Sequence, residues 1–283
     1  MIHTIRNRLL LGAIVCAVLL GVGYLALVNT TWGQAVDNAG YFGRHIVARA
    51  VIEYDNHILG AVSTATLALA VAIILLIGAI RRCLLGALIV AAGFACAVAG
   101  AELLKRTLPW HALVPTDAHL TIDLQRETYP SGHTTIGTSL AIALILVISA
   151  RWRPWVAVVA GFVSASFATG VLFAGWHRPS DALGGIVWSG LCMSMAAVAA
   201  VTLLGHAIRP IEDARRASIG SAVLAAFVAA STWFAAVAAP DAYPDADAPF
   251  LILSLLIILG SFLMTAWFGW QLRSLDWQQP RRT

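Results

Sequence analysis

The stretch YPSGHTT, residues 129–135, stands where a polar loop gives way to the apolar run 136–150. Its proline and glycine indicate a turn, and Ser131 is a suitable N-cap for a helix that begins beside it. The start of a helix offers unpaired backbone N–H groups and the positive end of the helix dipole, and both favour a phosphate group. His133 adds a side chain that exchanges protons near neutral pH. Alone, the stretch indicates a capped turn before a helix.

A second stretch, GWHRPSD at residues 175–181, also ends one apolar run and begins another. His177 and Asp181 are four residues apart, so the carboxylate can hold the imidazole in one tautomer. The structural alternative is an interfacial histidine at one helix end and an aspartate that caps the next helix. Two such stretches in one chain favour a chemical role for both.

The composition predicts a membrane protein. Of the 283 residues, 60% are hydrophobic and only 11% are charged, whereas a soluble domain carries roughly 25% charged residues. A transmembrane helix needs roughly 20 mainly apolar residues. Eight runs meet this condition, at about 9–28, 58–80, 84–104, 134–150, 156–176, 182–204, 217–239 and 249–270. The predicted fold is therefore an all-α, polytopic transmembrane helix bundle of about eight spans.

Other features of the composition exclude several classes of function. Basic residues exceed acidic ones by only 18 to 14, which does not indicate a nucleic acid partner. The four cysteines lie in apolar runs or at their edges without metal-ligand spacing, so we interpret them as packing residues. The sequence thus predicts no metal ion and no other cofactor. The first apolar run is too long for a signal peptide, which favours an uncleaved anchor.

The loops predict an orientation, because cytoplasmic loops of membrane proteins are enriched in Lys and Arg. With the N-terminus in the cytoplasm, the inner segments contain 12 of the 18 basic residues. Both termini are then cytoplasmic, and Lys105, His133, His177 and Asp181 all lie on the outer side. The segment 29–57 becomes a long outer loop with room for an interfacial helix.

Together with Lys105, the two stretches resemble the motifs of the type 2 phosphatidic acid phosphatase family of membrane lipid phosphatases. The family's Pro-Ser-Gly-His motif is complete at residues 130–133, and its last motif keeps His177 and Asp181. The resemblance covers roughly residues 84–204. It implies a core of six spans, to which this chain adds two C-terminal spans.

The resemblance fails at two arginines. The family's first motif places an arginine six or seven residues after its lysine, but residues 110–112 of this chain are Trp, His and Ala. The serine-arginine pair of the last motif falls on Gly170 and Val171. A phosphate dianion needs more positive charge than Lys105 supplies, so we expect another outer arginine to replace them.

The candidates for that arginine differ in where they lie. We rank Arg178 first, because it adjoins His177, and Arg126 second. Arg106 has Glu102 four residues before it, a spacing that predicts a local ion pair. Arg44 and Arg49 lie far from the motifs in sequence and are not counted among the candidates.

The chemistry that these residues can perform is phosphoryl transfer. His177 can attack phosphorus and form a phosphohistidine while Asp181 fixes its tautomer. His133 can protonate the leaving oxygen and later accept a proton from water. Lys105, Ser131 and the Gly132 N–H can bind the phosphate oxygens. The structural alternative for Lys105 is an interfacial anchor.

The sequence therefore predicts a metal-independent phosphatase of the cell membrane that acts on a lipid phosphate at its outer face. Phosphatidate, phosphatidylglycerol phosphate and polyprenyl phosphates or diphosphates all fit. Two alternatives are a lipid phosphotransferase with the same residues and a non-catalytic protein that binds or transports lipid phosphates. The expected partners are the substrate and membrane lipids, with no prediction of the oligomeric state. The predicted regions are 1–57 (first span and outer loop), 58–204 (phosphatase-like core) and 205–283 (accessory spans and cytoplasmic tail).

Overall fold

The computed structural model describes residues 2–114, 128–205, 209–210, 228 and 244–276. The candidate Arg126 and, except for residue 228, the predicted span at 217–239 lie outside these residues.

Helices make up most of the described chain, which confirms the all-α prediction. They are α1 Ile2–Gly23, α2 Thr31–Phe42, α3 Arg49–Gly60, α4 Thr64–Ile80, α5 Leu84–Thr107, α6 Gly132–Val147, α7 Arg153–Phe173, α8 Pro179–Leu204 and α9 Pro244–Gln271. A π-helical turn, Tyr24–Val28, continues α1, and a 3-10 turn, Gly43–Ile46, follows α2. Two short strands, β1 Arg209–Pro210 and β2 Leu275–Asp276, pair antiparallel.

Five segments of the described chain are long and apolar enough to cross a membrane, and a bent pair adds a sixth. The five are Ile2–Val28, Leu84–Thr107, Arg153–Phe173, Pro179–Leu204 and Ala248–Gln271. The bent pair is α3 with α4, whose axes differ by 74°. The chain is therefore a multi-pass membrane helix bundle.

Two predicted spans differ from the observed helices. The run 58–80 breaks, because Ser63 and Thr66 form a capping box that starts α4 at Thr64. The run 134–150 forms α6, which has only 16 residues and is mostly buried between α5, α7 and α8. A helix enclosed by its neighbours can be shorter than the bilayer, because other parts of the protein surround its ends.

A buried arginine explains where α6 stops. Arg153 is 1% exposed and donates to the carbonyl oxygens of Ile145 at 3.1 Å and Ile148 at 3.2 Å. The same guanidinium donates to the carbonyl oxygens of Leu272 and Leu275 beyond α9. Arg153 thus binds carbonyl oxygens that the ends of two helices leave without intrahelical partners. It lies at the opposite end of α6 from His133.

The outer segment 29–57 contains two helices where the sequence left room for one. Thr30 caps α2 by accepting a hydrogen bond from the Gly33 N–H at 2.9 Å. Helix α2 packs against α8 and α9, while α3 packs against α7. Both helices therefore cover the end of the bundle at which α6 and α8 begin.

Candidate active site

The first turn of α6 and the first turn of α8 are joined directly. Ser131 is the N-cap of α6, as predicted, and its hydroxyl accepts from the Thr134 N–H at 3.3 Å. The Ser131 N–H donates to the backbone oxygen of Asp181 at 2.8 Å. A Cβ at Gly185 would lie 2.9 Å from the Ser131 oxygen, so only glycine permits this approach. The two motifs, about 50 residues apart in sequence, thus form one site.

His177 and Asp181 form the predicted pair. The Nδ1 of His177 lies 3.2 Å from the Oδ2 of Asp181, and both residues are buried. The same oxygen accepts from the Arg178 N–H at 3.0 Å and from the Thr128 hydroxyl at 2.6 Å. Three donors around one oxygen hold the Asp181 carboxylate in one position, and the carboxylate in turn holds the His177 imidazole in one orientation. The Nε2 of His177 is therefore the ring nitrogen available for chemistry.

Hydrogen bonds also fix the backbone of the turn before His177. The N–H groups of Trp176 and His177 donate to the Val171 oxygen at 2.9 and 3.1 Å. Gly175 has φ of +74°, a conformation that favours glycine. The chain therefore turns sharply after α7 and presents His177 at the start of α8.

His133 and Lys105 are the other two predicted site residues near the N-terminus of α6. The His133 ring packs edge-on against the ring of Trp176, with centroids 5.1 Å apart. One ring nitrogen of His133 is hydrogen-bonded to the backbone oxygen of Leu59, at the end of α3. The Lys105 ammonium lies 3.1 Å from the position that a Cβ would take at Gly132. A positive side chain thus reaches the N-terminus of α6, where the helix leaves N–H groups unpaired.

A comparison with protein-family models matches residues 81–195 to the PAP2 superfamily. This range contains both motifs and Lys105. Over this range the chain is similar to the PAP2 superfamily. Its members are phosphatases, which supports a phosphoric ester hydrolase here. Comparisons with curated proteins and with solved structures found no match.

Val171, at which the resemblance predicts an arginine, lies in an apolar environment. Its side chain is completely buried in a cluster with Tyr41, Phe173 and Phe250. A guanidinium in this cluster would be desolvated without a partner, which is costly. Position 171 is therefore unsuited to an arginine.

Arg178, ranked first, extends toward α2. Its Nε donates to the Oδ1 of Asn38 at 3.1 Å, and its guanidinium lies 5.6 Å from the centroid of a Trp110 ring. Its backbone N–H, by contrast, holds Asp181 within the site. Arg106 pairs with Glu102 at 3.2 Å, as predicted, and Lys105 lies 3.7 Å from the same carboxylate.

Arg44 is a cation whose position the sequence did not reveal. Its guanidinium lies 3.8 Å from the centroid of the Tyr41 ring, and its Nη1 donates to the Tyr41 oxygen at 3.0 Å. Its Nε is 2.8 Å from the position that a Cβ would take at Gly175. The missing side chain of Gly175 thus lets Arg44 approach the loop that carries His177.

Helix α2 supplies the other contacts that sequence reasoning missed. Gln34, Asp37, Asn38 and Tyr41 recur at helical spacing, and each forms hydrogen bonds with the loops or the helix start around the site. The Tyr41 hydroxyl, for example, donates to the Gly175 oxygen at 3.1 Å. The signal was a stripe of polar residues, with periodicity 3 to 4, in a segment between two membrane spans.

Within residues 2–114, 128–205 and 244–276, no group of three or more His, Cys, Asp or Glu side chains could hold a metal ion.

Proposed function

We propose that this protein is an integral membrane phosphatase that hydrolyses a lipid phosphate through a phosphohistidine on His177. The observation that carries the proposal is the His177–Asp181 pair, joined through the Ser131 N–H to the N-terminus of α6. A nucleophile with a fixed tautomer next to an anion-binding helix start suits attack on phosphorus.

The reaction has two steps. The Nε2 of His177 attacks phosphorus, the bond to the lipid oxygen breaks, and His133 donates a proton to the leaving alkoxide. A water molecule then attacks the phosphohistidine while His133 accepts its proton, and inorganic phosphate and neutral His177 are released. A phosphate dianion beside the His133 ring favours the protonated form that the first step needs.

The phosphate oxygens need donors that are in place before the substrate binds. Lys105, the Ser131 hydroxyl and the Gly132 N–H at the start of α6 are the proposed group. A guanidinium from Arg178, Arg126 or Arg44 adds the charge that Val171 and residues 110–112 do not supply.

A lipid substrate is favoured by where the pocket lies on the bundle. Leu103, two residues before Lys105 on α5, is 61% exposed on a helix apolar enough to cross a membrane. Two residues correspond to about 3 Å along a helix axis, so the phosphate pocket adjoins a surface that suits acyl chains. The phosphate would then sit among polar loops while the lipid tail stays in the bilayer.

The orientation remains part of the proposal. Arg81 and Arg153 lie at the end of the bundle opposite to His133. By the excess of positive charge in cytoplasmic loops, that end is cytoplasmic and the active site faces the outside.

The test is phosphate release from phosphatidate, phosphatidylglycerol phosphate and polyprenyl diphosphate in detergent micelles, with a water-soluble alkyl phosphate as comparison. Wild-type protein should release phosphate from at least one lipid, with and without EDTA, and His177→Ala should not. An acid-labile phosphoprotein should form in wild type alone. Transfer of label to an added lipid alcohol would identify a phosphotransferase. Binding without turnover would identify a non-catalytic protein, a reading that the two absent arginines favour.

A further inference from the structure

Helix α2 places a second carboxyl group directly behind the His177–Asp181 pair. The Oδ1 of Asp37 accepts from the Ser180 N–H at 2.8 Å, and its Oδ2 accepts from the Ser180 hydroxyl at 2.6 Å. Asp37 is 3% exposed and Ser180 is 1% exposed. Ser180 is the residue before Asp181, so Asp37 holds the backbone from which the catalytic carboxylate projects.

The contact replaces a cap that α8 cannot make alone. Pro179 is the first residue of α8 and has no N–H, and Asp181 hydrogen-bonds the Arg178 N–H. The Ser180 N–H therefore needs an acceptor from another element, because a buried N–H without one is costly. Asp37 meets this need, because its Oδ1 accepts from the Ser180 N–H.

The surroundings of Asp37 disfavour a permanent second charge. Burial, together with the nearby charge of Asp181, raises the pKa of Asp37 to about 7. The hydrogen bonds from Ser180 and the Arg178 guanidinium act in the opposite direction. On α2 itself, the neighbouring polar groups are the uncharged Asn38 and the Tyr41 phenol.

The carboxyl group of Asp37 lies beside a small pocket. Asp37, Arg178 and Asp181 line this pocket together with Trp110 and Thr128. The charge state of Asp37 therefore acts directly on the surroundings of Asp181.

We infer that Asp37 is a positioning residue for the proposed reaction, which holds the first turn of α8 so that Asp181 stays aligned on His177. A neutral Asp37 leaves Asp181 as the one charged carboxylate of the two. An ionised Asp37 adds a negative charge behind a site that must bind a phosphate dianion. The inference rests on the proposed function, and it predicts separate effects of removing the side chain and of removing only its charge.

The experiment compares Asp37→Ala, Asp37→Asn and the control Gln34→Ala in full-length protein. Gln34 binds the Val28 and His111 oxygens and the Leu113 N–H from the same buried face of α2, without a hydrogen bond to α8. Phosphate release is measured as kcat and KM between about pH 5.5 and 8.5.

Asp37→Ala should lower kcat about tenfold or more below the Gln34→Ala value, while KM changes less than about threefold. Asp37→Asn can still accept from the Ser180 N–H and should match wild type near pH 6. Above about pH 7 its kcat/KM should exceed that of wild type, because it cannot ionise.

Equal losses in Asp37→Ala and Gln34→Ala would overturn the inference, and so would identical pH profiles for Asp37→Asn and wild type. If Asp37→Ala does not fold, the comparison of the pH profiles of Asp37→Asn and wild type still tests the inference. The proposed function has its own test, in which wild-type protein turns over and His177→Ala does not. A failure of the Asp37 inference is therefore distinguishable from a failure of the proposed function.

Discussion

Replacing Asp181 by asparagine separates its chemical role from its structural one. The Oδ2 of Asp181 accepts from the Arg178 N–H, the Thr128 hydroxyl and a His177 ring nitrogen, at 3.0, 2.6 and 3.2 Å. An amide oxygen in the same place can still accept from the first two donors. The start of α8 should therefore remain folded, and what Asp181→Asn removes is the negative charge beside His177.

That charge acts twice in the proposed reaction. It keeps the proton on Nδ1, which leaves the Nε2 lone pair free, and it stabilises the positive charge that the ring gains on phosphorylation. In serine proteases the same carboxylate-to-amide change costs about 10⁴ in kcat. We expect a loss of about 10³ to 10⁴ here, equivalent to about 4 to 5.5 kcal/mol of transition-state stabilisation. KM should change less than about tenfold, since Asp181 does not bind the phosphate.

The assay is phosphate release at saturating lipid phosphate, together with rapid-quench detection of the phosphohistidine. Thr128→Val is the matched control, because it removes one hydrogen bond to the same oxygen and keeps the charge. It should cost about tenfold or less. A rate for Asp181→Asn within tenfold of wild type, or no lower than that of Thr128→Val, would show that Asp181 only caps α8.

The remaining predictions concern proton transfer, phosphate binding, orientation and stability. His133→Ala should impair hydrolysis of an alkyl lipid phosphate far more than that of an activated aryl phosphate, and equal losses would argue against proton donation. Arg44→Ala should raise KM or lower kcat/KM about tenfold or more. The control Arg49→Ala removes an exposed ion pair with Glu53 and should change neither constant. Similar kinetics for the two variants would exclude Arg44 from phosphate binding. In a cysteine-free background, Ala112→Cys should react with a membrane-impermeant thiol reagent in intact cells and Arg151→Cys should not; the reverse pattern would invert the orientation. The pKa of Asp37 rises from 3.8 to about 7 on folding, so the protonated form contributes stability that is complete below about pH 4 and lost as the pH rises through about 7. As the pH rises from about 5 to about 8, the melting temperature of wild type should therefore fall relative to that of Asp37→Asn. A difference in melting temperature that does not change with pH would contradict the burial of this carboxyl group.

The parts of the site that the sequence predicted are those that local spacing encodes. Ser131 before an apolar run predicts a helix cap, and four residues between His177 and Asp181 place both groups on one helical turn. Each prediction needs only the geometry of a single helix. Five of the predicted spans followed from composition for the same reason, because crossing a bilayer fixes the length of an apolar helix.

The contacts that the sequence did not predict are those between distant segments. Asp37 lies about 140 residues before Ser180, and Arg44 lies about 130 residues before Gly175. No periodicity in either segment indicates its partner, because tertiary packing brings them together. Arg178 was ranked first because it directly follows His177 in sequence. In the structure, the Arg178 guanidinium contacts Asn38 and Trp110, whereas the His177 ring contacts Asp181.

The packing of α9 has a consequence for how the protein is made. Leu253 and Phe250 on α9 lie so close to α2 and the turn after it that a Cβ at Gly40 or Gly43 would overlap them, at 2.6 and 2.4 Å. Segments near the two ends of the chain thus support each other, with about 200 residues synthesised between them. During biogenesis, α2 leaves the ribosome long before the helix that supports it. The contacts that hold α2 against α9 are therefore expected to form only after α9 has been inserted.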